Sequence, residues 1–225
     1  MASPSGDDGS PPGANDRRVA ARLRAVEEGR HLTGVVPVGK AHDRLPAGQR
    51  LVEKWPVLDL GVHPDIPHDK WRLEIGGLVD RPVTLDWRAF SALPQSDMTN
   101  DIHCVTSWSR YDNRWTGVAT DDLLDSVGPK ADARFVLFRC ADGYTTNLPL
   151  SRFAAPGSLI AHSWGGTPLS KEHGGPIRAV IPALYFWKSA KWLRRITLVG
   201  EDVPGYWEAR GYHNDGDPWK EERYA

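Results

Sequence analysis

Cysteine is nearly absent from this chain of 225 residues, which holds only Cys104 and Cys140. Two cysteines make no disulfide framework, and with no Cys-x-x-Cys pair they make no zinc motif, so the usage fits a reducing compartment. No run of about 18 apolar residues occurs, which excludes a membrane-spanning helix. Neither sign of charge dominates: 28 Lys plus Arg stand against 29 Asp plus Glu. That balance argues against nucleic acid or an anionic membrane as partner. Asp16-Arg17-Arg18 begins like a twin-arginine export signal. The stretch after it carries Arg22, Arg24, Glu27, Glu28 and Arg30 and no apolar core, so the expectation is a cytoplasmic protein.

What is plentiful is tryptophan, glycine and proline, at 10, 22 and 18 residues, a mix that favours short strands and structured loops over a helical bundle. Residues 1–15 read as a disordered tail of Ser, Pro, Gly and Asp. Residues 16–46 read as an N-terminal helix and loop, the helix lying over 16–28 with Asp16 as cap and Gly29 as stop. Residues 47–225 form the main domain. Within it Trp71-Arg-Leu-Glu-Ile75 alternates as a strand does. Further strands are expected at Arg134–Cys140, Leu159–Trp164, Arg178–Ile181 and Leu193–Val199. Short helices are expected at Asp86–Leu93, capped by Asp86, and at Thr120–Val127, started by Thr120. The interleaving indicates an α+β fold.

Two segments carry chemistry. The first is His103-Cys104-Val-Thr-Ser-Trp-Ser-Arg110. A cysteine serves as soft metal ligand or nucleophile through its thiolate, and a buried cysteine is otherwise a small hydrophobe. A Cys-His hydrolase stays open on the residues alone, since any of eight histidines could approach in space. The second segment is His173-Gly-Gly-Pro-Ile-Arg178, continuing through Lys188, Lys191, Arg194 and Arg195. From His173 to Gly200 there is no Asp or Glu, so five cations lack a counter-charge within the segment. An anion site with Gly174 and Gly175 amides facing the ligand is one reading, and solvated cations beside a tight turn is the other. Cys140, in an apolar strand, reads as structural.

The Cys104 segment, followed by Trp115-Thr-Gly-Val118 and Asp122-Leu-Leu124, resembles the molybdenum-ligand segment of the sulfite oxidase-like molybdopterin oxidoreductases. His173-Gly-Gly-Pro-Ile-Arg178 with Lys188-Ser-Ala-Lys-Trp192 resembles their pterin-binding segment. The ending from Gly205 to Trp219 is similar to that of short cytoplasmic bacterial members. The resemblance covers residues 50 to 225. It implies the sulfite oxidase fold and one mononuclear molybdenum-molybdopterin cofactor without a nucleotide. It also implies two-electron oxygen-atom transfer on sulfite or on a sulfoxide- or N-oxide-type small molecule. By the match Cys104 is the metal ligand, and His63, His173, Arg178, Lys188, Ser189, Ala190 and Lys191 fall where the family holds the pterin and its phosphate. Eukaryotic sulfite oxidases place substrate-binding arginines after the cysteine, and Arg110 stands nearest to that role here. The Trp-Ser after Cys104 is shared with methionine sulfoxide reductase catalytic subunits. No flavin, haem or nicotinamide motif is evident, so a separate electron-transfer partner is expected. The alternative is a non-catalytic module that binds molybdopterin or another anion.

Overall fold

The computed structural model describes residues 44–225. The expected tail and the helix over 16–28 lie outside these residues. In chain order the strands are β1 (Arg50–Leu51), β2 (Arg72–Gly77), β3 (Val83–Asp86), β4 (Ser96–Cys104), β5 (Trp108–Ala119) and β6 (Phe135–Cys140). They continue with β7 (Thr145–Pro149), β8 (Leu159–Trp164), β9 (Thr167–Pro168), β10 (Arg178–Val180) and β11 (Leu193–Val199). Strands β1, β4, β5, β8, β9 and β10 form one sheet, and a second runs β3-β2-β11-β6-β7. Three short helices, α1 (Trp87–Ser91), α2 (Thr120–Val127) and α3 (Leu150–Phe153), lie between strands, which gives the α+β class expected.

Local pattern explains most of these elements. In β2 Leu73 and Ile75 are buried while Arg72 and Glu74 are exposed, the period of a half-buried strand. Asp86 caps α1 by accepting from the Ala89 amide at 2.8 Å. Thr120 opens α2 as expected, but not through a side-chain cap. Its buried hydroxyl donates to the carbonyls of Phe153 and Ser158, which ties the helix to the segment around α3 and leaves the cap without a side-chain bond.

The longest pairing was not expected: β4 and β5 form an antiparallel hairpin closed by Val105-Thr106-Ser107. Strand β5 also pairs with β1 in parallel and with β8 in antiparallel register, so it is the centre of its sheet. Gly117 sits at an irregularity of the β5–β8 ladder, where a Cβ would meet the Ile160 carbonyl oxygen at 2.1 Å. The connection from β10 to β11 passes from one sheet to the other. It brings Ser189 to Trp192 beside the turn that ends β4.

Candidate functional site

A cleft with about 800 Å³ of empty space, part of it open to solvent, lies where three connections meet. The β4–β5 turn contributes Cys104, Val105, Thr106 and Trp108. The β6–β7 turn contributes Asp142 and Tyr144, the start of β10 contributes Arg178, and the segments flanking β10 contribute His173 and Ser189 to Trp192. A loop at Trp55 to Leu60 lines the remaining side.

Cys104 is the last residue of β4 and is 6% exposed. Ser107 adopts φ 68° and its amide donates to the Cys104 carbonyl at 3.0 Å, the geometry of a three-residue hairpin turn. Behind the turn, buried Gln49 donates from Nε2 to the same carbonyl at 3.1 Å. Gln49 Oε1 accepts from Ser109 Oγ at 3.2 Å, and Ser109 contacts His103 Nδ1 at 2.8 Å. Burial pushes His103 down to about 4, so this imidazole is neutral near pH 7. His103 therefore faces Ser109 while Cys104 faces the cleft, as neighbours on a strand do.

Arg178 opens β10 and is 2% exposed. Its guanidinium donates to the carbonyls of Ser189 at 2.7 Å, His173 at 3.0 Å and Ala179 at 3.3 Å. The faces of Phe186 and Trp55 lie 4.3 and 5.3 Å away. Among the described residues no carboxylate pairs with it. Burial lowers it to about 9, which leaves it protonated at neutral pH. A buried cation held only by neutral partners is costly unless an anion joins it.

Three of the other cations are less bare than the segment alone indicates, because carboxylates from outside it reach them. Lys188 is fully buried, but Glu208 meets its ammonium at 2.6 Å and Asn147 accepts from it at 2.8 and 3.1 Å. Lys191 lies 3.5 Å from Asp59, and Arg195 pairs with Glu74. The counter-charges come from distant parts of the chain. Removing one partner of a buried pair leaves the other charge uncompensated, so Lys188→Met is expected to cost about 3–5 kcal/mol of stability in denaturant unfolding. A variant as stable as the parent would show that the Lys188–Glu208 pair is not formed in solution.

Lys191 titrates in a useful range. Burial, then the Arg178 charge, lowers it to about 8, and Asp59 opposes the shift. The folded value lies below the ordinary lysine value of 10.5, so between about 8 and 10.5 the unfolded chain holds more protons and stability rises with pH. An anion in the cleft favours the ammonium form. Affinity of the empty cleft for inorganic phosphate is therefore expected to fall as pH rises through about 8, measurable by calorimetric titration on either side of that value. A pH-independent affinity would remove Lys191 from the anion site.

Of the residues singled out from sequence, Cys104, His173, Arg178, Ser189, Ala190 and Lys191 line the cleft together. Three others do not line it. Lys188 turns to Glu208, and Arg110 donates to the Glu53 carbonyl at 3.1 Å with its guanidinium 4.7 Å from the Trp164 ring. His63 bonds Asp59 at 2.7 Å, and Asp59 does reach the cleft. Burial opposes ionisation of Asp59, but the His63 bond, the Gly61 amide and Lys191 outweigh it and hold the carboxyl low. The Gly174 and Gly175 amides do not face a ligand. They donate to the Lys171 and Ser170 carbonyls, and Gly174 (φ 102°) lies against Lys191, so that a Cβ on it would meet the Lys191 Cβ at 2.9 Å. His173 stacks on Trp55 with ring centres 3.7 Å apart, and burial followed by the Arg178 and Lys191 charges lowers it to about 4.

Trp55 and Arg223 were not anticipated, and Trp108 stood in the quoted motif without an assigned role. Trp108 lines the cleft with a buried indole N–H that has no hydrogen-bond acceptor among the described residues. Arg223 donates to the Val105 carbonyl at 2.6 Å, so it fastens the turn that carries Cys104. Cys140 is buried, and burial pushes its thiol well above the ordinary range, as suits a structural cysteine.

Among the described residues no group of three or more His, Cys, Asp or Glu is gathered to hold a metal ion. None of their helices is long and apolar enough to cross a membrane.

Residues 60–207 match the family profile described as the oxidoreductase molybdopterin binding domain. The chain is 47% identical over 186 residues to the uncharacterized oxidoreductase YuiH of Bacillus subtilis, covering 81% of this chain and 92% of that protein. It is 32% identical over 143 residues to the YedZ1 subunit of Azospira oryzae, whose name assigns it to protein-methionine-sulfoxide reduction. That match covers 64% of this chain and 54% of the relative. The sulfane dehydrogenase SoxCD of Paracoccus pantotrophus shares the fold with a TM-score of 0.58 at 21% identity, over 63% of this chain and 41% of that one.

Proposed function

This chain belongs to the sulfite oxidase-like molybdopterin-dependent oxidoreductases, and from that premise we propose oxygen-atom transfer to or from a small sulfur or nitrogen oxide, with Cys104 as the metal's protein ligand. The observation that carries the proposal is the buried guanidinium of Arg178, without a carboxylate partner among the described residues, in the same cleft as the Cys104 sulfur. A phosphorylated, dithiolene-bearing pterin is anionic and brings sulfur ligands of its own. It therefore fits a cleft that offers one soft thiolate and a buried cation, lined by Trp108, whose buried indole N–H is without an acceptor among the described residues. When bound, this cofactor supplies a two-electron redox change coupled to oxygen-atom transfer.

The residues of the chain bind and orient. Cys104 holds the metal, and Arg178 and Lys191 balance the phosphate, with the Ser189 to Lys191 peptide shaping that end of the cleft. His173, neutral and stacked on Trp55, packs against the pterin without adding charge. The Gln49, Ser109 and His103 group fixes the back of the metal site. Electrons pass to or from a separate redox protein.

The test begins with elemental analysis of protein from a molybdopterin-competent host. About one molybdenum per chain, with a fluorescent oxidised pterin on release, is expected. Dye-linked assays with sulfite, methionine sulfoxide and N-oxides then select the substrate. A folded, metal-free and pterin-free preparation made with ample molybdate would defeat the proposal.

A further inference from the structure

The turn that ends β4 presents a hydroxyl to the Cys104 sulfur: Thr106 Oγ1 lies 3.2 Å from Sγ, and both residues line the cleft. A threonine in a turn commonly bonds its own backbone. Among the described residues, the one hydrogen bond of this side chain goes to the sulfur. The backbone around it is anchored at three carbonyls. Cys104 O accepts from Gln49 and from the Ser107 amide, Val105 O accepts from Arg223, and Ser107 O accepts from the Arg50 amide at 3.0 Å. Gln49 and Arg50 come from one end of the described chain and Arg223 from the other. Together they leave the turn little freedom to carry the hydroxyl away from the sulfur.

We propose that Thr106 is a positioning residue that orients the ligand sulfur and tunes its electron donation through this hydrogen bond. The inference rests on the reading of Cys104 as the molybdenum ligand. A thiolate has no proton to give, so in that state Thr106 is the donor. A hydrogen bond to a ligand sulfur withdraws electron density from it and makes the reduced metal easier to reach.

Two near-isosteric changes separate the bond from the packing. Thr106→Val keeps the branched shape and removes the donor, while Thr106→Ser keeps the donor and removes a methyl group. In full-length, molybdenum-loaded protein, Thr106→Val is expected to move the sulfur-to-metal charge-transfer absorption to longer wavelength. Its reduction midpoint should fall, with molybdenum per chain unchanged, and Thr106→Ser should return both readings to those of the parent. An unmoved band and midpoint in Thr106→Val would overturn the role of Thr106, as would an equal shift in Thr106→Ser. Cys104→Ser is the control for the underlying reading. The pterin's own sulfurs also absorb by charge transfer, so parent and Cys104→Ser are compared at equal molybdenum per chain. If the cysteine component of the spectrum is lost, a negative result at Thr106 concerns Thr106 alone; if the spectrum is unchanged, the ligand assignment itself falls.

Discussion

Arg178→Gln is expected to strip the cleft of its cofactor while leaving the fold standing. The guanidinium is 2% exposed, and its partners are three carbonyls and aromatic faces. None of these cancels its charge, so the empty protein carries a desolvation cost that an anionic ligand relieves. Lys191 cannot make up the whole loss, because Asp59, 3.5 Å from its ammonium, offsets part of its charge. Truncating one partner of a buried charge pair costs about 2–5 kcal/mol, so the variant should hold pterin roughly 30-fold to several-thousand-fold more weakly. The apo protein responds differently. Orphaning the Ser189 and His173 carbonyls costs about 1–3 kcal/mol each, but glutamine restores one bond and the unpaired charge is gone. These opposing effects leave a net change of about 2 kcal/mol or less. Pterin fluorescence per chain and melting of loaded and empty protein measure both sides. Full pterin retention would contradict the anion role, and an unfolded empty variant would make Arg178 a structural residue first.

The legible part of the fold is the part whose apolar pattern is local. Strand β2 alternates, β6 and β8 are short, largely buried runs, and β11 buries Leu193, Ile196 and Leu198 between less buried residues, so their sequence alone marks them. The β4–β5 hairpin has no such mark. Its residues include Asp97, Asn100, Asp101, Arg110, Asp112 and Asn113, and irregularities interrupt its pairing. Its partners are polar and cross-strand: Trp115 Nε1 donates to Asn100 at 2.9 Å, and Thr116 donates to Asp97 at 2.6 Å. Strand patterning misses what side-chain hydrogen bonds hold.

The site divides the same way. The resemblance to the family singled out Cys104, His173, Arg178 and the Ser189 to Lys191 stretch, and these residues line one cleft. Charge counting within a segment could not show that Glu208, Asp59 and Glu74 return to pair Lys188, Lys191 and Arg195, leaving Arg178 as the buried cation without a carboxylate among the described residues. Trp55 had a faint signal, a large aromatic in a proline-rich loop, where it needs a partner such as His173 to cover it. Arg223 had none, since its contact with Val105 spans 118 positions.

Cys104→Ser is expected to abolish turnover, by more than the roughly 10–100-fold that loss of an outer-shell partner costs. A serine hydroxyl is a harder donor than a thiolate and a poor ligand for a sulfur-coordinated metal. The substitution is otherwise mild. Serine matches cysteine closely in size at a site 6% exposed, and the bonds from Gln49 and Ser107 to the residue 104 carbonyl involve only backbone at this position. The fold should therefore survive, and melting of the metal-free protein separates a chemical loss from a structural one. Cys140→Ala is the matched control. That thiol is buried and held protonated, so turnover of molybdenum-loaded Cys140→Ala should equal that of the parent. Normal turnover in Cys104→Ser would remove the ligand role from Cys104. Equal losses in both variants would mean that buried sulfur supports the fold rather than the metal. Loss at Cys104 alone, with melting unchanged, assigns the ligand role to the sulfur that the β4–β5 turn presents to the cleft.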